Sequence, residues 1–228
     1  MNTEMLNLTQ AVQRLQQADR ILLLCHKNPD GDTIGSAAAL YHALRAQGKT
    51  AAIACSDPIP DRYDYMQVSA FDGAFEPAYI VAVDVAGLQL FGPGTIEWAE
   101  KCDLCIDHHV SHSGYADGLV LDGQAAACAE IIYQLLQEMG AEITPLIADC
   151  LYTGVATDTG CFKFANVTPR THRVAAELME RGARYVRLNE LLFESKSRRQ
   201  LAVEAIILKN IEFYFDGRCA ITYLTLDE

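Results

Sequence analysis

The segment ILLLC (Ile21–Cys25) constrains the fold more than any other stretch of the chain. Five apolar residues in a row, without the polar alternation of a half-exposed strand, describe a strand buried on both faces. Such strands belong to parallel sheets with helices on either side. TAAIAC (Thr50–Cys55), YIVAV (Tyr79–Val83), DLCI (Asp103–Ile106) and LVL (Leu119–Leu121) are further short apolar runs, and helical patterns separate them. Helices are expected over Ile34–Gln47 with Gly48 as C-cap, over Ala126–Met139, from Thr144-Pro145 onward, and from Thr168-Pro169 to Gly182. The segment ATDTGCFKF reads as a turn leading into a short strand. The expectation is an α/β fold: a mainly parallel sheet flanked by helices.

The tail has another pattern. Tyr185–Phe193 and Ser195–Ile211 have helical spacing, and EFYFDGRCAITYLT reads as a β-hairpin with Asp216-Gly217 in a type I′ turn. Two strands do not make an independent domain, so the hairpin is expected to be the start of a second one.

Four polar clusters fall where strands are expected to end, the position at which open α/β sheets hold ligands. The first is HKNPDGDTIGS (His26–Ser36), where an Asn-Pro turn lets His26 and Asp30 converge and Gly31 lets Asp32 fold in closely. Gly35 and Ser36 are expected to open a helix whose N-terminus favours phosphate or carboxylate. The second cluster is Asp84, directly after YIVAV. The third is Asp107-His108-His109, and the fourth holds Asp158 in a Thr-Asp-Thr-Gly turn. A lone aspartate at a strand end is ordinarily a turn former. HKNPDGD carries more polar groups than a turn needs, and two histidines beside an aspartate have little structural use. Carboxylates and imidazoles at this density suit Mn²⁺ or a similar divalent ion, whereas all-oxygen shells favour Mg²⁺ or Ca²⁺. His42 and His172, inside helical patterns, read as surface or packing residues.

Composition narrows the partners. The formal net charge of the 228 residues is −12, a poor footprint for long nucleic acid, which calls for a basic stripe. A small anionic substrate is compatible with it, because bound cations reverse the sign locally. No apolar run reaches the length that crosses a bilayer, and the first twenty residues lack a signal-peptide core, so no membrane partner and a cytoplasmic location are expected. The eight cysteines are then free thiols. Cys102 and Cys105 have C-x-x-C spacing on an expected strand, where side chains three apart face opposite ways, so they read as core residues and not as a metal grip.

The motifs HKNPDGDTIGS, VAVDVA, IDHHVS, AEIIYQLL, LYTGVATDTGCFKF and NVTPRTHRVAAELMERGA, in this order, resemble the DHH phosphoesterases. They are most similar to the branch of bifunctional oligoribonucleases (nanoRNases) that also dephosphorylate 3′-phosphoadenosine-5′-phosphate (pAp). The resemblance covers the whole chain and implies three parts. Residues 1–184 would form the catalytic domain, 185–211 linker helices, and 212–228 the start of a truncated substrate-binding (DHHA1) domain. It implies two Mn²⁺ ions, with Mg²⁺ or Co²⁺ as alternatives. His26 and Asp30 would hold one ion and Asp32 and His108 the other, with Asp84 and Asp158 shared. Water between two such ions loses a proton near neutral pH and attacks phosphorus in line. His109 would face the scissile phosphate, and Asp107 would orient a histidine. Ser36, Arg170 and Arg199 are the expected substrate contacts, the arginines from the basic segments TPRTHR and SKSRRQ.

The chain departs from the family pattern at His112, often Asn, and at Ala126-Ala127-Cys128, often Ser-Ser-Thr. The family's glycine-rich, histidine-ending substrate motif is not among these residues, so an incomplete substrate clamp is expected. The expected partners are short oligonucleotides or pAp-like nucleotides, and a homodimer is a further expectation. Two alternatives stand beside this reading. One is hydrolysis of pyrophosphate or a cyclic dinucleotide within the same superfamily. The other is a non-catalytic metal- or nucleotide-binding module.

Overall fold

The computed structural model describes residues 3–225. Residues 1, 2 and 226–228, the last three within the expected 212–228 segment, lie outside the described residues. The chain forms two compact units, one through Asn189 and one from Glu190.

In the first unit a short edge strand β1 (Glu4–Met5) leads into α1 (Leu8–Gln17). The helix is capped by Asn7, whose side chain and that of Gln10 bond each other's backbone. Then follow β2 (Ile21–Leu24), α2 (Gly31–Ala46), β3 (Ala51–Ala54), β4 (Tyr79–Val83), the short helix α3 (Ile96–Ala99), β5 (Leu104–Asp107) and β6 (Gly118–Leu121). The unit ends with α4 (Cys128–Glu138), α5 (Pro145–Asp158), α6 (Pro169–Glu180) and α7 (Tyr185–Asn189). The six strands pair in the order β1-β6-β5-β4-β2-β3, and every pairing is parallel. All four residues of β2 are fully buried, as an unbroken apolar run requires. From β2 the chain turns first to β3 on one side and then to β4 on the other, so β2 and β4 border the switch point of the sheet.

Several expectations shift. The edge strand β1 was not legible, because its two residues lie in a polar segment of helical spacing. α2 begins at Gly31, three residues earlier than expected, because Asp30 caps it by accepting the amides of Asp32 and Thr33. Ser36 therefore lies inside that helix and does not open it. The strand expected after Asp158 does not form: α5 runs to Asp158, and residues 159–166 form turns in which Cys161 and Phe162 take positive φ. Cys102 and Cys105 are buried as expected, but for another reason. Cys102 precedes β5, and both sulfurs enter one hydrophobic cluster with Leu22, Ile80, Val85 and Phe91. All eight cysteines are free thiols.

In the second unit a π-helical turn (Glu190–Glu194) precedes α8 (Arg198–Lys209) and the antiparallel hairpin β7 (Glu212–Tyr214) and β8 (Cys219–Ile221). The last strand pair is Tyr214 with Cys219, so the loop holds four residues, not the expected two-residue type I′ turn: Phe215, Asp216 and Gly217 all have positive φ, and the Arg218 amide bonds the Phe215 carbonyl. Among the described residues no helix is long and apolar enough to cross a membrane.

Candidate metal centre

Three elements deliver the cluster from the sheet's carboxyl ends. His26 follows β2, Asp84 follows β4, and Asp107 closes β5 with His108 and His109 behind it. The helices supply the rest. Asp30 and Asp32 stand at the start of α2, and Asp158 is the last residue of α5, a helix end where a strand-edge turn was expected.

Glycine brings these helices together. A Cβ on Gly35 of α2 would sit 2.4 Å from the Cys150 carbonyl oxygen of α5. A Cβ on Gly154 of α5 would sit 2.6 Å from the Ala129 Cβ and 2.7 Å from Asp32 Oδ1. A side chain on Gly31 would strike Thr157. Backbone-to-backbone approach of this kind is open only to glycine, and it sets Asp32 beside Asp158. Asp32 is fully buried. Its Oδ2 accepts the Cys128 amide at 2.6 Å, and its Oδ1 accepts the Ala129 amide at 2.9 Å and the Ser36 hydroxyl at 3.1 Å. The N-cap of α4, Ala127, has no capping side chain, so Asp32 caps that helix from the other side of the site.

The two histidines are each fixed through one ring nitrogen. His108 Nδ1 lies 3.2 Å from the Ala125 carbonyl oxygen and His26 Nδ1 lies 2.7 Å from that of Lys27. A carbonyl only accepts, so each Nδ1 carries the hydrogen and each Nε2 presents a lone pair. His108 Nε2 lies 3.3 Å from Asp158 Oδ2, 3.4 Å from Asp84 Oδ1 and 3.9 Å from Asp32 Oδ2. His26 Nε2 lies 3.6 Å from Asp30 Oδ1 and 4.0 Å from Asp84 Oδ2. Lone pairs therefore face carboxylate oxygens, and buried Asp84 Oδ1 and His108 Nε2 have no hydrogen-bond partner. Acceptor atoms packed against acceptor atoms in this way fit a cation.

The potential ligand atoms fall into groups lying within 4.8 Å of one another: His26, Asp30 and Asp84, then Asp32, His108 and Asp158. Asp84 turns one oxygen to each histidine and so stands between them. Asp84, Asp107, His108 and His109 form a third such group.

The electrostatics agree. Burial, reinforced by neighbouring carboxylates, pushes Asp32 up to about 7 and Asp84 well above the usual carboxylate range. Burial raises Asp158 as well. Burial also works on Asp30, but His26 and the amides of Asp32 and Thr33 outweigh it and hold the group low. Burial opposes the charged form of His26, yet Asp30 and the Lys27 carbonyl win and raise it.

Asp107 orients His109. Its Oδ1 accepts the amides of His108 and His109 at 2.8 and 3.2 Å and the His109 ring Nδ1–H at 2.8 Å. That carboxylate raises the His109 pKa, and the ring remains 43% exposed. Of the expected substrate contacts, Ser36 is buried against Asp32, and Arg170 pairs with Asp122 and Glu130. Arg199 stands on α8 of the second unit. His42 bonds the Met66 carbonyl and His172 stacks on Phe162, as packing residues do. The Ala125 carbonyl and Asn166, whose side chain donates to the Ala126 and Asp158 carbonyls, escaped sequence reading. The one available signal was an asparagine just before a Thr-Pro cap that does not need it.

Residues 20–155 match the family model described as DHH family, N-terminal domain. The chain belongs to the DHH family. It is 33% identical over 223 residues to the Thermus thermophilus bifunctional oligoribonuclease and PAP phosphatase NrnA, covering 91% of this chain and 64% of that protein. The Bacillus subtilis protein of the same name is 27% identical, with 93% of this chain and 69% of that protein covered. The chain thus spans about two thirds of the length of these relatives. A solved exopolyphosphatase-related protein from Bacteroides fragilis shares the fold of this DHH chain, with a TM-score of 0.86 at 24% identity over 97% of this chain and 70% of that one.

Proposed function

We propose that this chain is the catalytic part of a manganese-dependent phosphoesterase that releases mononucleotides from short oligonucleotides and removes the 3′-phosphate of pAp. The observation that carries the reading is Asp84 set between two histidines whose lone pairs face carboxylates, a geometry that fits two divalent cations. The DHH relatives named as oligoribonucleases and PAP phosphatases supply the substrate class. His26, Asp30 and Asp84 would hold one ion, and Asp32, His108 and Asp158 the other. Mixed imidazole and carboxylate donors suit Mn²⁺, with Co²⁺ and Mg²⁺ as the nearest substitutes. When bound, the pair of cations supplies a deprotonated water nucleophile near neutral pH and neutralises charge on the phosphate oxygens.

The remaining work falls to the protein. His109 is partly exposed and oriented by Asp107, and its raised pKa keeps a proton available for the leaving oxygen. Asp32 holds its position through the first two amides of α4, so the carboxylate does not reorient during turnover. The eight free thiols accord with a cytoplasmic location. Incubation of the purified chain with Mn²⁺ and either a dinucleotide or pAp is expected to release mononucleotide or phosphate. His108→Ala is expected to abolish that release. Turnover that persists in this variant, or in the presence of a chelator, overturns the reading.

A further inference from the structure

The loop from Asp122 to Ala127 has no regular structure, yet its Ala125 carbonyl alone fixes which nitrogen of His108 is free to bind. That loop is held in two places by residues from outside it. Arg170 at the start of α6 reaches Asp122 Oδ2 with Nη1 at 2.5 Å and sets Nε 3.0 Å from Glu130 Oε2. Asp122 in turn shapes the loop, with Oδ1 accepting the Gln124 amide and its carbonyl accepting the Ala125 amide, both at 3.0 Å. Asn166 donates through Nδ2 to the Ala126 carbonyl at 3.0 Å and to the Asp158 carbonyl at 3.1 Å, joining the loop to the end of α5.

Glu130 explains why the anchor is an arginine. It is fully buried on the first turn of α4, and neither of its oxygens makes a hydrogen bond. A buried carboxylate without hydrogen bonds needs a paired cation, so Glu130 fixes the Arg170 guanidinium where its other arm meets Asp122. The loop amide and carbonyl positions follow from that anchor.

We infer that Arg170 and Asn166 are positioning residues of the metal centre: through the Asp122–Ala127 loop they hold the Ala125 carbonyl against His108 Nδ1 and thereby keep Nε2 as the metal-binding nitrogen. The inference rests on the metal-centre reading above and departs from a substrate role for Arg170. It accounts for the arginine's two carboxylate partners, which a free phosphate-binding arm would lack. Its strength should match that of other hydrogen-bonding supports behind metal ligands, roughly 10- to 100-fold in metal affinity.

The test uses the whole chain in four forms: wild type, Asp122→Asn, Asn166→Ala and the double variant Arg170→Met with Glu130→Gln. The double variant removes both charges of the pair together and so leaves no unpaired carboxylate at the buried position 130. Histidine ¹⁵N–¹H correlation spectra of metal-free protein at pH 8 report the His108 tautomer. Calorimetric titration with Mn²⁺ reports affinity. Wild type is expected to show a single Nδ1–H tautomer, and each variant a mixture, with Mn²⁺ bound about tenfold more weakly. A further control protein beside these four, Arg170→Lys with Glu130 intact, is expected to keep part of the affinity that the double variant loses. An unchanged tautomer in all three variants overturns the inference, whatever the metal does. A mixed tautomer with unchanged Mn²⁺ affinity overturns it too. Failure of wild type to bind Mn²⁺ sinks the metal-centre reading instead, and the tautomer spectra still decide whether the loop governs His108.

Discussion

Asp84 combines three costs at one position. Its φ is +62°, it is buried, and the carboxylates of Asp32, Asp30 and Asp158 repel its charge. Left-handed backbone is unfavourable for most residues, and Asp and Asn are among the few that adopt it routinely. The Thr33 hydroxyl, donating to the Val83 carbonyl at 2.9 Å, and the Asp84 amide, bonded to Ile106, hold the backbone there. Such strain marks a position kept for chemistry. Asp84→Asn keeps the backbone preference and deletes the buried charge. Chelator-treated Asp84→Asn is therefore expected to melt about 2–4 °C above wild type at pH 8, a shift worth roughly 1 kcal/mol in a chain of this size. Its Mn²⁺-dependent hydrolysis should vanish. Asp84→Ala should lose activity equally but gain less stability, since alanine resists the left-handed conformation. Differential scanning calorimetry of both variants checks the contrast, and a melting point for Asp84→Asn below that of wild type counts against it.

At the scale of elements, the crossing of α2 with α5 decides whether the ligands meet. A Cβ added at Gly35 would meet a backbone carbonyl, whereas one added at Gly154 would meet Ala129 and the Asp32 carboxylate. Gly35→Ala and Gly154→Ala are each expected to cost about 1–3 kcal/mol, because added carbon forces the helices apart. The two should differ in metal binding. Gly154→Ala pushes directly on Asp32 and should weaken Mn²⁺ beyond what the stability loss accounts for. Urea denaturation paired with calorimetric Mn²⁺ titration separates the effects, and equal affinities in the two variants would contradict the distinction. The α4 N-terminus obeys the same logic: its capping group comes from α2, so displacing α2 uncaps α4 as well.

For the whole molecule, the metal centre ties stability to pH. Asp32, Asp84 and Asp158 all have folded pKa values raised above those of an unfolded chain, chiefly by burial. Above pH ~4 the unfolded state has lost these protons while the native state still holds them. The native state then binds more protons, so stability falls as pH rises, by up to roughly 1.4 kcal/mol per pH unit for each such group. Metal-free protein is expected to lose melting temperature between pH ~4 and ~7. Saturating Mn²⁺ should cancel the loss, since cation binding displaces those protons. Thermal melts across that range, with Mn²⁺ and with chelator, test this directly. A metal-free melting point that climbs steadily from pH 4 to 7 would refute it. Cations held there, as proposed, would also reconcile the net charge of −12 with an anionic substrate, by neutralising part of the acidity at the site.

The sequence by itself determined the parallel layering and the identity of the polar clusters. An unbroken run such as ILLLC tolerates only a doubly buried strand, and HKNPDGD and DHH carry more donors than turns use. These are local signals, written in neighbouring residues. It also determined that a hairpin turns at Asp216-Gly217, because residues tolerant of positive φ stand there, while the loop's extra residues, with Phe215 at positive φ, were not legible. Only the tertiary structure decided that Asp158 ends a helix, that β1 completes the sheet edge, and that Cys102 and Cys105 share one face. It alone showed that Asp32 caps α4 across 96 residues and that the Ala125 carbonyl meets His108 Nδ1. Those features depend on which backbone amides and carbonyls meet, and every residue carries the same amide and carbonyl. Side-chain chemistry is spelled out in sequence, whereas the backbone groups that aim it acquire their partners only when the chain closes on itself.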